Sequence, residues 1–429
     1  MGKFTILKDS RVDSLVEAHL KIAIKEINKI DGVRSIILVG GFGRGEGSIL
    51  VEDKNIIPLN DYDIYLISDE DINEVVLNRT AIKIEKKVGS KGFSLYEVSA
   101  KDFYFDLRCI PIKKLNELPP FIKYYEMKHA SMVIWGENYL DKIPDYLPGD
   151  LPISEGIRFI LNRLSSIFLW NPYMPGRLND WQDWEHRVFF YDISKLYIEC
   201  CTILCQQSGI YAPTYRQRLL NLSKIWHLKY QGLEKEHPGL MIRIESYTKM
   251  KLNPVLPNSP DYIQIWLLAK DDALAVLEFV LMAKFDLGLT DISSARFAYQ
   301  YFFPYLRSIL ERRRLGAVPL IIYPAILASQ LFLRFGWIKR LLGFNKLKSR
   351  QVFGWLDPGL TIFQSLVYLC QALKTDYYLV SDKLHKASTT LNKVYPVQNS
   401  VDSYRLFLGL YDDYVSAWKK YFFMKLTSI

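Results

Sequence analysis

Three aspartates stand at positions where side chains of this kind do chemistry. Asp61 and Asp63 flank Tyr62 in the run Asn60-Asp61-Tyr62-Asp63-Ile64-Tyr65-Leu66-Ile67, and Asp106 lies inside Phe103-Tyr104-Phe105-Asp106-Leu107-Arg108-Cys109-Ile110. Both runs are rich in β-branched and aromatic residues and read as strands. Residues i and i+2 of a strand point to the same side, so Asp61 and Asp63 project together. Like charges that close are costly unless a cation shares them, and hard oxygen donors of this kind suit Mg²⁺. The pair alone fits an exposed strand edge with two solvated acids equally well. Asp106 also has a second explanation, because Arg108 faces the same side and can neutralise it. Taken together, three carboxylates on neighbouring strands beside a glycine turn fit a two-metal site, with one ion activating the attacking oxygen and the other holding a triphosphate.

The glycine turn is Val39-Gly40-Gly41-Phe42-Gly43-Arg44-Gly45-Glu46-Gly47-Ser48. A glycine cluster straight after a buried strand lets the backbone approach a phosphate, because each missing Cβ removes a steric barrier and permits positive φ. Arg44 offers a bidentate phosphate contact. The cluster alone also satisfies the needs of an ordinary tight turn. The G-x-G-x-x-G spacing of a dinucleotide fold is absent, and no Gly-Lys-Ser or Gly-Lys-Thr completes a P-loop.

The elements that must position these residues come from the first 135 residues. Val12, Leu15, Val16, Ala23, Ile24, Ile27 and Ile30 recur at helical spacing behind the capping candidates Asp9 and Ser10. Ser35 to Val39 reads as a strand buried on both faces that ends at Gly40 and Gly41. A strand follows at 61–67, a helix at about 71–88, and strands at 93–98 and 103–110. Beyond Pro119 and Pro120 the pattern is almost wholly helical, with candidates at about 121–131, 153–170, 182–208, 213–230, 262–287, 292–314, 319–341, 359–375 and 402–426. The expected fold is α+β: a small mixed sheet over 1–135, a helical domain over 136–290 and a further helical region over 291–429.

Composition narrows the setting. The 429 residues are 49% hydrophobic, which excludes disorder, and the length predicts two or three domains. Five cysteines without a paired framework or a C-x-x-C zinc spacing favour a reducing, cytoplasmic setting. The first 30 residues are charged throughout and lack the apolar core of a secretory signal. The net charge of +9 equals the surplus of residues 306–350 alone, where ten Lys and Arg stand against Glu311. Those residues bracket Leu315 to Leu333, whose only polar members are Ser329 and Gln330. That run reads first as a buried helix, with interfacial membrane contact and a true span as alternatives. An acidic protein face or an anionic lipid surface is the expected partner of 306–350.

The glycine turn and the three aspartates resemble those of the DNA polymerase β-like nucleotidyltransferase superfamily, whose pattern is a hydrophobic strand, Gly-Gly or Gly-Ser, a spacer, an Asp-x-Asp strand and a third acid on a later strand. Val39-Gly40-Gly41, Asp61-Tyr62-Asp63 and Asp106 match these parts in turn. Gly-Gly-Phe-Gly-Arg-Gly-Glu looks especially like the uridylyltransferases of the nitrogen-regulatory PII protein. Val133-Ile134-Trp135-Gly136-Glu137-Asn138 resembles the point where aminoglycoside nucleotidyltransferases leave their catalytic domain. The resemblance covers about residues 10–145, and the spacer from Gly41 to Asp61 is longer than usual, with 49–58 read either as an added hairpin or flap or as a remodelled edge of the site.

The resemblance implies that Gly40, Gly41 and Ser48 line a triphosphate, with Arg44 in contact with it. It further implies that Asp61 and Asp63 hold two Mg²⁺ ions, and that Asp106 binds the catalytic one and helps deprotonate the acceptor hydroxyl. Glu46 and Arg108 stand behind them. The implied reaction moves a nucleoside monophosphate from a nucleoside triphosphate, ATP being the expected donor, to a hydroxyl of a small molecule or protein, releasing pyrophosphate. A non-catalytic nucleotide sensor, or an antitoxin-like module that binds a protein partner, is the alternative. Nucleic acid is a poor candidate partner, because no basic stripe or aromatic platform adjoins the catalytic segment. The six histidines are scattered and read as structural, as does the aromatic and acidic cluster from Asp180 to Arg187.

Overall fold

A computed structural model of the chain describes residues 2–52, 55–91, 93–94, 99–100, 103–171, 174, 181, 183–294, 297, 358–374, 378–398 and 400–422. The expected helices at 319–341 and most of 292–314, the apolar run 315–333 and the basic segment 306–350 lie outside these residues. The architecture is α+β, a small mixed sheet plus a helical region. The chain divides into two compact units, the first comprising Met1–Glu155, Ser208–Gln231 and Met241–Pro257, the second the remainder.

The first unit opens with α1 (Ser10–Ile27), whose N-cap Asp9 accepts a hydrogen bond from the Arg11 amide at 2.9 Å. Of the two capping candidates, Asp9 is the cap and Ser10 the first helical residue. Next come β1 (Val33–Leu38) and a single helical turn, α2 (Gly40–Gly43). A hairpin of β2 (Ile49–Glu52) and β3 (Asn55–Pro58) fills the long spacer, and β4 (Tyr62–Ser68) follows. Then come α3 (Glu74–Val88), capped by Asn73, and the short pair β5 (Phe93–Ser94) and β6 (Ser99–Ala100). Residues 95–98 of the expected strand lie outside the described residues. β7 (Phe105–Pro111), α4 (Ile122–His129) and β8 (Met132–Gly136) complete the sheet region.

The sheet order is β7-β4-β1-β8, with β4 and β7 parallel and the other pairs antiparallel. Side chains alternate across it. Ile36, Leu38, Tyr62, Ile64, Leu66, Phe105 and Leu107 join one apolar cluster with Val12, Val16 and Leu20 of α1 and Leu77 and Ile84 of α3. Ile37, Tyr65, Ile67 and Ile110 join a second, with Leu115, Leu118, Met127 and Ile143. Burying a side chain of this size stabilises by roughly 1.5–3 kcal/mol, so a sheet covered on both faces is a rigid platform.

The same unit takes in α7 (Tyr215–Lys229) and α9 (Leu240–Leu252) from later in the chain. The second unit holds α5 (Ile153–Leu169), α6 (Asp183–Gln207), α8 (Gln231–Glu236) and α10 (Tyr262–Phe285). It also contains α11 (Pro358–Ala372), α12 (Ser381–Leu391) and α13 (Ser403–Phe422). Its packing is apolar: Trp266, Leu196, Leu366 and Leu410 are fully covered. No helix among the described residues is long and apolar enough to cross a membrane.

Candidate functional site

The aspartates meet at the N-terminal ends of β4 and β7. The parallel register pairs Tyr62 with Phe105 and Asp63 with Asp106, which sets the two acids side by side on the face that carries Tyr65 and Ile110. Asp61 is two residues before Asp63, on the same side. It is opposite Tyr104, whose carbonyl accepts the Tyr62 amide hydrogen at 2.9 Å. All three acids are half-buried, with polar partners. Asp106 accepts from Arg108 Nε at 3.0 Å and Nη2 at 2.7 Å. This hydrogen bond, and the charge of Asp106, hold the Arg108 pKa up against its partial burial. Burial pushes the Tyr104 phenol well above its ordinary value, and the charges of Asp61, Asp63 and Asp106 push it further. The Tyr104 hydroxyl donates to the Asp61 carboxylate.

Tyr62 anchors the pair it separates. Its fully buried ring stacks on Phe42 at 4.7 Å and Phe105 at 4.6 Å, and its hydroxyl lies 2.9 Å from His19 Nδ1. A buried aromatic with a satisfied hydroxyl fixes the strand in both depth and rotation. Tyr62 therefore ties Asp61 and Asp63 to the glycine turn and to α1.

The turn itself is shaped by those acids. Gly40 has φ +64°, and a Cβ there would lie 2.0 Å from Asp63 Oδ2. A Cβ on Gly41 would lie 2.9 Å from Asn60 Oδ1. Both glycines are thus required by the side chains of the Asn60-Asp61-Tyr62-Asp63 run, and the Val39 amide closes the junction by donating to the Asp63 carbonyl at 2.9 Å.

Arg44 and Ser48 have partners other than a phosphate. Arg44 is buried, with Nη1 2.5 Å from Glu126 Oε2 and its guanidinium 4.5 Å from the Tyr215 ring centre. Burial alone would lower the Arg44 pKa, and the charges of Glu126 and Glu46 more than offset it. Glu126 also receives the Tyr211 hydroxyl at 2.6 Å and the Arg218 guanidinium. Glu46, wholly buried, accepts from the amides of Tyr215 at 2.7 Å and Arg216 at 3.0 Å, satisfying the open N-terminus of α7. The Ser48 hydroxyl donates to the Lys251 carbonyl and accepts from Lys251 Nζ at 2.5 Å. Lys251 Nζ also donates to Asn60 Oδ1 at 2.8 Å, and the Ser48 amide reaches the same oxygen at 2.8 Å. Arg44 and Ser48, expected at a phosphate, are both buried and engaged in these internal contacts.

Tyr104, Asn60, Lys251, Glu126 and Arg218 were not singled out by sequence reasoning. Tyr104 had a legible signal, since the alternation that places Asp106 on one face places Tyr104 there too. The other four are polar residues covered wholly or in part by long-range packing, and local pattern is silent about them.

Mg²⁺ can be weighed against the residues present. Three carboxylates, two of them in direct register, match a hard cation in donor type. As placed, no group of three or more His, Cys, Asp or Glu among the described residues is gathered tightly enough to hold an ion. Arg108 and Tyr104 engage two of the donors instead, so loading would require Asp106 to release Arg108. No protein-family model matches the chain, and no curated protein matches it in sequence.

Proposed function

We propose that the protein is a nucleotidyltransferase that moves a nucleoside monophosphate from a nucleoside triphosphate, with ATP the first donor to test, to a hydroxyl of a small molecule or protein. The observation that carries this reading is the register of Asp63 with Asp106 beside a glycine turn whose missing Cβ atoms make room for Asp63 and Asn60. Asp61, Asp63 and Asp106 would hold Mg²⁺, which when bound neutralises the triphosphate and lowers the pKa of an attacking hydroxyl. Gly40 and Gly41 offer backbone to the phosphates without side-chain obstruction. Asp106, once free of Arg108, accepts the acceptor's proton, and Arg108 remains near enough to balance the charge that develops. Tyr62 keeps Asp61 and Asp63 in place through the reaction, which is the positioning on which phosphoryl transfer mainly depends.

The pairing of Asp106 with Arg108 favours one second reading, a sensor that binds nucleotide without turnover. Incubation with Mg²⁺, each α-labelled nucleoside triphosphate and a broad hydroxyl-acceptor panel, beside Asp61→Ala and Asp63→Ala, separates the two. The proposal expects label transfer or pyrophosphate release that both substitutions abolish. Turnover that survives them would sink the site, and tight binding without turnover would favour the sensor.

A further inference from the structure

Tyr104 brings a hydroxyl of the chain itself to the acid face. Three observations place it there. The parallel register of β4 with β7, continued one step before Tyr62 and Phe105, sets Tyr104 opposite Asp61. The 2.9 Å hydrogen bond from the Tyr62 amide to the Tyr104 carbonyl fixes that step. The phenolic hydroxyl donates to Asp61. A hydroxyl that is to lose its proton must lie within hydrogen-bond reach of the base that takes it. Tyr104 meets that condition without any added acceptor, and it is only half-buried.

We infer that Tyr104 is a site of self-modification, its phenolic oxygen accepting a nucleoside monophosphate from a triphosphate bound at the Gly40–Gly41 turn. This rests on the nucleotidyltransferase reading of the same site. In the step, Tyr104 Oη attacks the α-phosphorus and forms a new O–P bond. The bond from that phosphorus to the bridging oxygen breaks, and pyrophosphate leaves with the electron pair. The phenolic proton passes to the Asp61 carboxylate. No oxidant, reductant or further co-reactant is needed.

The test is intact-mass and peptide-mapping analysis of the full chain after incubation with Mg²⁺ and each nucleoside triphosphate, with pyrophosphate release followed in parallel. The expected result is a mass gain of one nucleotidyl group, a nucleoside monophosphate less one water, located on Tyr104 and reduced to background in Tyr104→Phe and Asp61→Asn. Tyr139→Phe, which alters a tyrosine hydrogen-bonded to Glu137, keeps the label. Melting curves of Tyr104→Phe, which lacks only the phenolic oxygen, establish that the variant is folded. Pyrophosphate release with an unlabelled Tyr104, or an adduct that survives Tyr104→Phe, overturns the inference and leaves the nucleotidyltransferase reading standing. Absence of any turnover with any nucleotide or acceptor overturns both.

Discussion

Two groups of charges within the first unit are built to opposite rules. On the acid face, Asp61, Asp63 and Asp106 stay partly open at strand ends, and the Asp106 and Arg108 side chains are 30% and 55% exposed. In the network behind the glycine turn, Arg44, Glu46 and Arg218 are 5%, 0% and 3% exposed. The open group carries an excess of negative charge that a cation can balance. The closed group carries its own counter-charges, Glu126 between Arg44 and Arg218 and Glu46 beside Arg44 and Arg216, with the Tyr215 and Arg216 amides and the Tyr211 hydroxyl donating to the carboxylates. One glycine-rich motif therefore serves two purposes: Gly40 and Gly41 make room for the acid site, and Arg44 and Glu46 fasten α4 and α7 to the turn.

This contrast sets the predictions. Asp63→Ala leaves the closed network intact and should lower turnover by about a thousandfold, the scale on which one preorganised electrostatic group acts, with folding retained. A steady-state pyrophosphate assay beside circular dichroism checks both halves. Glu126→Gln does the reverse, leaving the buried Arg218 guanidinium without its carboxylate and Arg44 with Glu46 alone. It should cost about 3–5 kcal/mol in urea unfolding, with turnover per folded molecule preserved.

Gly40→Ala sharpens the comparison because it touches the boundary between the groups. The φ of +64° costs an alanine about 1–2 kcal/mol, and the added methyl displaces Asp63, so stability and turnover should fall together. The smallest effect is expected on acidification. Lys29 and Lys87, hydrogen-bonded to Glu26, hold its carboxyl down from 4.5 to about 2. The stability from these contacts is fully present above about 4.5 and is lost as pH falls through about 2. Glu26→Gln should flatten the melting temperature across that interval.

Legibility in the sequence follows the same division. β1, β4 and β7 could be read because their runs are dense in apolar, β-branched and aromatic residues, and α1 because its cap and its spacing agree. The acids stood out because a charge inside such a run is conspicuous. The α9 helix could not be read. Its covered stripe runs Leu240, Ile244, Thr248, Lys251 and Leu252, and two polar members break the apolar period that signals a helix. The α12 helix hides likewise, burying Ser388 and Thr390 beside Leu384 and Leu391. β8 reads in the sequence only as the end of a domain, since it is a short edge strand with Trp135 exposed. Arg44 and Ser48 looked like phosphate ligands because nothing local reveals that Glu126 and Lys251, far along the chain, fold against them.

The central claim is that the acid face, and not the closed network, receives the nucleotide. Calorimetric titration of a non-hydrolysable ATP analogue with Mg²⁺ into the wild type, the Asp61→Asn/Asp63→Asn double variant and Glu46→Gln tests it directly. The account predicts binding by the wild type and Glu46→Gln and none by the double variant. Equal affinity in the double variant, or no binding by the folded wild type, would contradict it.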